Sequence, residues 1–221
     1  NPRPPLFSWS MAVGAMALEP FLNTPEDAVW WSMLALPAVY GALTVFPIAS
    51  MAKDHFGKGA GVLAAWLIAF MPAHVTHSTW ALADHDAFVM LFLSVGFMYW
   101  LRAVKYAGSS RISKTTSPHP LSFVRAFKDV AAHRQAAMAN AALAGVAFGV
   151  VALGWKGFVV GPSILFLAYA LQVALNMFRR RDSTSLSVMF LVMLTTTFLM
   201  ALPFYAHPQL NLVLDSTGLQ P

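Results

Sequence analysis

Residues 77–105 read HSTWALADHDAFVMLFLSVGFMYWLRAVK, and three ionisable groups, Asp84, His85 and Asp86, stand directly before a long apolar run. A carboxylate beside hydrocarbon is costly, because its charged form loses the water that solvates it. Three kinds of chemistry could justify the pair. The simplest is helix capping, since Asp is a preferred N-cap and an acid in the first turn complements the helix dipole. One Asp suffices for that, and here two stand at i and i+2 with a His between them. The second is a divalent metal site. Hard cations such as Mg²⁺ and Mn²⁺ prefer carboxylate oxygens, and an Asp-x-Asp spacing where a loop enters a helix lets both side chains converge on one ion. Two carboxylates leave an octahedral cation short of ligands, so others must come from elsewhere. The third is an ion or proton path, which intramembrane acids often mark. No apolar run carries an acid in its middle, which favours chemistry at the surface over transport.

Other residues could serve a substrate. His74 and His77 precede the motif; a His at a span end is more often an interfacial side chain. Trp155 and Lys156 form a short turn between two apolar runs. A Trp at such a place is commonly a membrane-belt residue, whereas Lys156 could pair with a phosphate. With His85 inside the motif, the candidate substrate-binding set is His77, His85, Trp155 and Lys156.

The elements that must position these groups follow from composition. Of 221 residues, 58% are hydrophobic and only 10% charged, against about 25% charged in a soluble domain. The chain therefore reads as an all-α, polytopic transmembrane helical bundle in a lipid bilayer. The net charge of +5 is distributed as membrane orientation requires and does not imply nucleic acid. With no cysteine, disulfides, thiolate metal sites and Cys nucleophiles are excluded. A crossing helix needs about 20 apolar residues, and six runs qualify at about 28–52, 59–75, 86–105, 135–153, 157–178 and 184–203. Residues 1–27 hold a shorter apolar stretch bracketed by Pro4, Pro5 and Pro20, fitting an interfacial or re-entrant helix. Gly145, Gly149, Gly154 and the neighbouring alanines suggest close helix packing.

Six spans fix which loops share a side. The loops at 53–58, 102–134 and 179–182 fall together and carry 12 of the 14 Lys and Arg; only Arg3 and Lys156 lie opposite. The positive-inside rule then puts that set in the cytoplasm and the Asp84 loop outside. Glu19, Glu26, Asp27, Asp84, Asp86 and Asp215 also fall outside, while Asp54, Asp129 and Asp182 fall inside. Acids contribute little to topology, so their outward bias suggests cation binding on the outer face.

The stretch GVLAAWLIAFMPAHVTHSTWALADHDAFVMLFLSVGFMYWLRAVK at 61–105 resembles the catalytic subunit of oligosaccharyltransferase in its archaeal form. In that family a short span ends in a Pro-containing outer loop. The loop leads into an acidic motif, then an apolar span with a basic exit. NPRPPLFSWS is similar to the end of the family's long first external loop. PAVYGALTVFPIASMAKDHFGKGAGVLAA is similar to the next span and its turn, and LGWKGFVV to a small external turn with Trp and Gly. The resemblance implies a GT-C glycosyltransferase fold. It also implies transfer of an oligosaccharide from a polyprenyl (dolichyl) phosphate or diphosphate to Asn of an Asn-x-Ser/Thr sequon on an acceptor protein. By the same resemblance Asp84 and Asp86 are the metal ligands and catalytic residues, the cofactor is Mn²⁺ or Mg²⁺, and the setting is an archaeal plasma membrane. His77 stands where many members carry Arg, and an imidazole cannot reproduce a guanidinium fork.

The chain opens without Met and without a basic leader, so it reads as an internal fragment, with residues 204–221 as an external tail and the family's soluble C-terminal domain absent. The family's first acidic motif and its sequon-binding motif are likewise expected beyond these residues, so the fragment is expected to be inactive alone. Two other functions compete. A protein O-mannosyltransferase tends to place its acidic pair directly after the first span, whereas here the pair follows an apolar hairpin. A transporter or channel requires ionisable groups within spans and internal symmetry, neither of which the sequence offers.

Overall fold

The computed structural model describes residues 5–80, 84–107, 128, 134–181 and 183–205, and among these every regular element is a helix. The N-terminal helix α1 (Leu6–Leu18) ends in a 3₁₀ turn at Glu19–Phe21 that contains Pro20. It folds back along α2 (Pro25–Phe56), where the Ser32 hydroxyl donates to the Met11 carbonyl at 2.7 Å. At 13 residues its length is about 20 Å, short of the roughly 30 Å hydrocarbon core.

Helix α2 starts where Thr24 Oγ1 accepts the Asp27 N–H at 3.1 Å, with Pro25 in the first helical position and Glu26 and Asp27 in the first turn. Each of these satisfies or complements the free N–H groups of a helix start. Its end is set by Gly57, whose φ of +92° lies in the region open to glycine. The 59–75 run does not form one continuous span. It makes α3 (Lys58–Phe70) and the short α4 (Pro72–His77), separated by Met71 in an extended conformation. The cause is Pro72, since a residue before proline is pushed out of the helical region. Helix α3 therefore rises only about 20 Å, and five helices, not six, are long and apolar enough to cross a membrane among the described residues.

The remaining four are α5 (Asp86–Ala107), α6 (Gln135–Gly154), α7 (Val160–Phe178) and α8 (Thr184–Tyr205). Helices α3, α2, α5, α6 and α8 pack in that order as a row, with α1 laid over α2. Hydrogen bonds at the two ends fix their directions. Arg102 Nε donates to Asp54 Oδ2 at 2.7 Å, so α2 and α5 run parallel and end together. Arg134 bonds the Ala107 carbonyl and the Ser185 hydroxyl, which joins the end of α5 to the starts of α6 and α8. At the other end the Tyr205 hydroxyl donates to the Ala152 carbonyl at 3.1 Å. The described Lys and Arg at the helix ends thus gather at one end of the bundle, apart from Lys156.

The core lies where α5, α6 and α8 meet, around Trp100, Ala103, Ala141, Phe148, Met189 and Met193. Helix α6 supplies mainly small residues there, which lets its neighbours approach closely, as is usual between helices in lipid. Side chains such as Trp66, Phe70, Phe166, Leu167 and Leu171 point outward, each more than half exposed. In water that would be an aggregation surface; in a bilayer it is the lipid-facing coat. Residues 206–221 of the C-terminal tail and most of the basic 106–134 segment lie outside the described residues.

Candidate metal centre

The acidic motif lies at the head of α5, at the end of the bundle opposite Arg102. Sixteen residues separate Asp86 from Arg102 along one helix, a distance of about 24 Å. His85 opens this helix: its carbonyl accepts the Val89 N–H at 2.9 Å. Asp84 Oδ1 accepts the His85 backbone N–H at 2.7 Å and lies 2.6 Å from His85 Nδ1. That orders the entry to the helix, yet it leaves the second Asp84 oxygen uncommitted by these contacts. Asp86 sits in the first turn, where its charge complements the helix dipole. Capping accounts for part of the motif and not for its convergence.

That convergence is the main finding at the site. Asp84, His85 and Asp86 each offer one ligand atom, and the three atoms lie within 4.8 Å of one another. Around an octahedral ion with bonds of about 2.1 Å, ligand atoms stand about 3.0 to 4.2 Å apart. The three groups have the donor chemistry a hard divalent cation takes, and they would draw closer together around one. Their side chains are 36–45% exposed, so an ion can reach them. Phe88, one turn further in, is 2% exposed and seals the site from the bundle interior.

His77 comes to the cluster from the end of α4, its Nδ1 lying 2.8 Å from Asp86 Oδ2. The interruption at Met71–Pro72 is what delivers it, because α4 turns over the head of α5 where a continuous span would run past. His74 faces the other way: it is buried, and its Nε2 lies 3.1 Å from the Gly41 carbonyl. It fastens α4 to α2 and has no part in the site. Trp155 follows the end of α6, and its ring centroid lies 6.2 Å from that of His85. Lys156 is the next residue, exposed in the 3₁₀ turn Lys156–Val159. His77, His85 and Trp155 therefore meet at the acidic pair, with Lys156 adjoining Trp155.

Two contributors had no signal in the sequence. Phe7 of α1 lies edge-on to His85 at 6.4 Å and to Phe88 at 5.9 Å, and Tyr40 of α2 lies edge-on to Phe88 at 5.5 Å. These rings form an aromatic floor drawn from three helices. Gly154 completes it, since a β-carbon there would stand 2.5 Å from the Phe88 ring.

Comparison with known proteins places the chain in a family. The family model for oligosaccharyl transferase STT3, N-terminal, matches residues 28–218 and so contains the acidic cluster. The chain is 27% identical over 198 residues to dolichyl-phosphooligosaccharide-protein glycotransferase 3 of Archaeoglobus fulgidus, a match covering 87% of this chain and 20% of that protein. It is also 30% identical over 89 residues to the dolichyl-diphosphooligosaccharide–protein glycosyltransferase subunit STT3 of Saccharomyces cerevisiae, covering 40% of this chain and 12% of that protein. The chain thus spans a fifth or less of the length of either relative. With the family model matched along most of its length and an all-helical membrane bundle beneath it, this chain belongs to the STT3 oligosaccharyl transferase family.

Proposed function

We propose that this chain forms part of a membrane oligosaccharyltransferase that moves an oligosaccharide from a polyprenyl (dolichyl) phosphate or diphosphate to Asn of an Asn-x-Ser/Thr sequon, with Mn²⁺ or Mg²⁺ held at Asp84 and Asp86. The observation that carries this reading is the convergence of Asp84, His85 and Asp86 at the head of α5, inside the region matched by the family. In the transfer, the acceptor amide nitrogen bonds to the sugar's anomeric carbon, the bond from that carbon to the phosphate oxygen breaks, and the amide loses a proton. The cation, when bound, supplies Lewis-acid stabilisation of the negative charge that develops on the leaving phosphate.

The chain's own residues supply the setting. Asp84 and Asp86 concentrate negative charge at one point of the rim, and His77 holds Asp86 by one oxygen at 2.8 Å. A single imidazole contact fixes that carboxylate without the bidentate grip of an Arg. Lys156, exposed beside Trp155, can offer its ammonium to a phosphate oxygen. Phe7, Phe88 and Tyr40 keep water from reaching the cluster from below. The reading is tested with the full-length protein in membranes, a polyprenyl-diphosphate-linked donor and a fluorescent sequon peptide. Glycopeptide is expected with Mn²⁺, is lost with EDTA, and is absent when the sequon Asn is replaced by Gln. Transfer that persists at full rate in EDTA overturns the metal dependence, and no transfer under any condition overturns the reading.

The outward placement of the site belongs to the same proposal and rests on the gathering of Lys and Arg at the opposite end of the bundle. These 221 residues contain no cysteine, so single cysteines placed in them, in a background otherwise free of cysteine, give a clean probe. In oriented vesicles, Lys156→Cys should react with an impermeant maleimide from outside and Lys58→Cys only after lysis. Labelling of both from the same side contradicts the orientation.

A further inference from the structure

We infer that Arg179, Arg180 and Arg181, which follow the end of α7, bind the phosphate of an anionic lipid headgroup in the leaflet at the basic end of the bundle. The inference is independent of the metal site and of the transfer reaction.

The first observation is how α7 ends. The Arg180 N–H donates to the Met177 carbonyl at 3.1 Å and the Arg181 N–H to the Asn176 carbonyl at 2.8 Å. These two bonds make the Schellman closure of a helix, which puts the residue after the C-cap in the left-handed region. Glycine usually stands there, since it has no β-carbon to strain. Here Arg180 does, at φ +49°, and it is the one non-glycine residue with positive φ among the described residues. The next residue is often hydrophobic and packs back on the helix; here it is Arg181. A single cation would complement the helix dipole. Three arginines, one of them in a conformation that disfavours it, call for a ligand.

The second observation is that the three side chains are uncommitted. All are exposed, and among the described residues none of them has a hydrogen-bond or ion-pair partner. By contrast, Arg102 is paired with Asp54, Lys105 donates to the Asp54 carbonyl, and Arg134 bonds the Ala107 carbonyl and the Ser185 hydroxyl.

The third is their depth. Helix α7 has 19 residues, about 28 Å, which matches the hydrocarbon core of a bilayer. Only Gly161 and Leu165 of this helix are buried, both in the half remote from the arginines. Directly before the arginines, Met177 is 73% and Phe178 88% exposed. A ligand of the guanidinium groups thus lies at the edge of the hydrocarbon, which is the level of lipid phosphates and not of a soluble partner. Guanidinium forks grip phosphate oxygens in pairs, and clustered basic residues at this level attract anionic lipid.

The test uses the full-length protein, otherwise free of cysteine, with bimane attached at Phe178→Cys and reconstituted in phosphatidylcholine vesicles. Nitroxide-labelled phosphatidylglycerol should quench the bimane in preference to labelled phosphatidylcholine by at least about fivefold, the gain from one basic residue at a membrane surface. Arg179→Gln/Arg180→Gly/Arg181→Gln should bring the ratio close to one. Arg180→Gly alone should weaken the preference while holding or raising the thermal midpoint, because glycine relieves the backbone; this separates lost binding from lost folding. Free glycerol phosphate should leave the preference intact. Equal quenching by the two lipids, or a preference that survives the triple variant, overturns the inference. Loss of the preference in free glycerol phosphate assigns the arginines to a soluble phosphate compound and overturns the lipid.

Discussion

Replacing Gly145 with Leu is expected to destabilise the bundle by about 3 kcal/mol or more, the upper range for overpacking. Gly145 lies on the seam between α6 and α8, which run parallel. A β-carbon added there would stand 2.5 Å from the Met193 carbonyl oxygen and 2.7 Å from Thr196 Cβ. The first of these is backbone within a helix and cannot swing aside. The same seam carries a hydrogen-bonding position, since the buried Thr197 hydroxyl lies 3.1 Å from the Gly145 carbonyl and 3.0 Å from that of Met193. Its single proton can favour either, and pushing the helices apart removes the interhelical choice. Gly59 provides the contrast: nothing stands within 4 Å of a β-carbon there. Gly59→Ala should therefore leave stability within about 1 kcal/mol of the natural chain, with helix propensity on its side. Thermal unfolding in micelles, followed by tryptophan fluorescence, separates the two. The Leu variant should unfold roughly 6–12 °C lower, at about 2–4 °C per kcal/mol for a chain of this size. Equal midpoints for both variants contradict the close α6–α8 packing.

The parts of the fold that were legible in the sequence are those fixed by composition over long windows. Long apolar runs with charges only toward their ends became α2, α5, α6, α7 and α8, because in lipid every backbone group must find its partner within the segment. The exception is instructive. The 59–75 run has the hydrophobicity of a span, but Pro72 sets the conformation of Met71 and divides it. A window average does not register one residue's φ and ψ. The division has consequences at the site, because it brings His77 to Asp86.

The site was legible as a pair of carboxylates and less so as a constellation. Asp84 and Asp86 stand out because acids beside hydrocarbon are rare, and Trp155 because it interrupts two apolar runs. His85 was visible only as a candidate substrate contact, and its position between both carboxylates depends on side-chain directions that spacing does not fix. Phe7 and Tyr40 could not be found at all. Each is one aromatic residue among many in an apolar chain, and each reaches Phe88 across dozens of residues of sequence. Similarly, the glycines and alanines of α6 indicated close packing, but the partners, Met193 and Met200 of α8 and Phe88 of α5, are set by how the row of helices assembles.

Loss of either carboxylate should have the largest effect on activity. Asp84→Ala and Asp86→Ala each remove one of two oxygen donors from the proposed cation site. Stabilisation of charge developing on the leaving phosphate is then lost, while binding of the lipid tail and glycan is not. Such losses reduce the rate of the chemical step by about 10²–10³-fold. Neither side chain is buried, so each variant should lose only its contact at the helix start, about 1 kcal/mol, and a midpoint lowered by about 2–4 °C separates a slow variant from an unfolded one. The most direct measurement is oligosaccharide transfer to a sequon peptide by the full-length protein carrying Asp84→Ala or Asp86→Ala, in saturating Mn²⁺ and with expression matched to the unmodified protein. At least a hundredfold loss in both variants is expected; transfer within about threefold of the unmodified protein in both would contradict a metal centre at the head of α5.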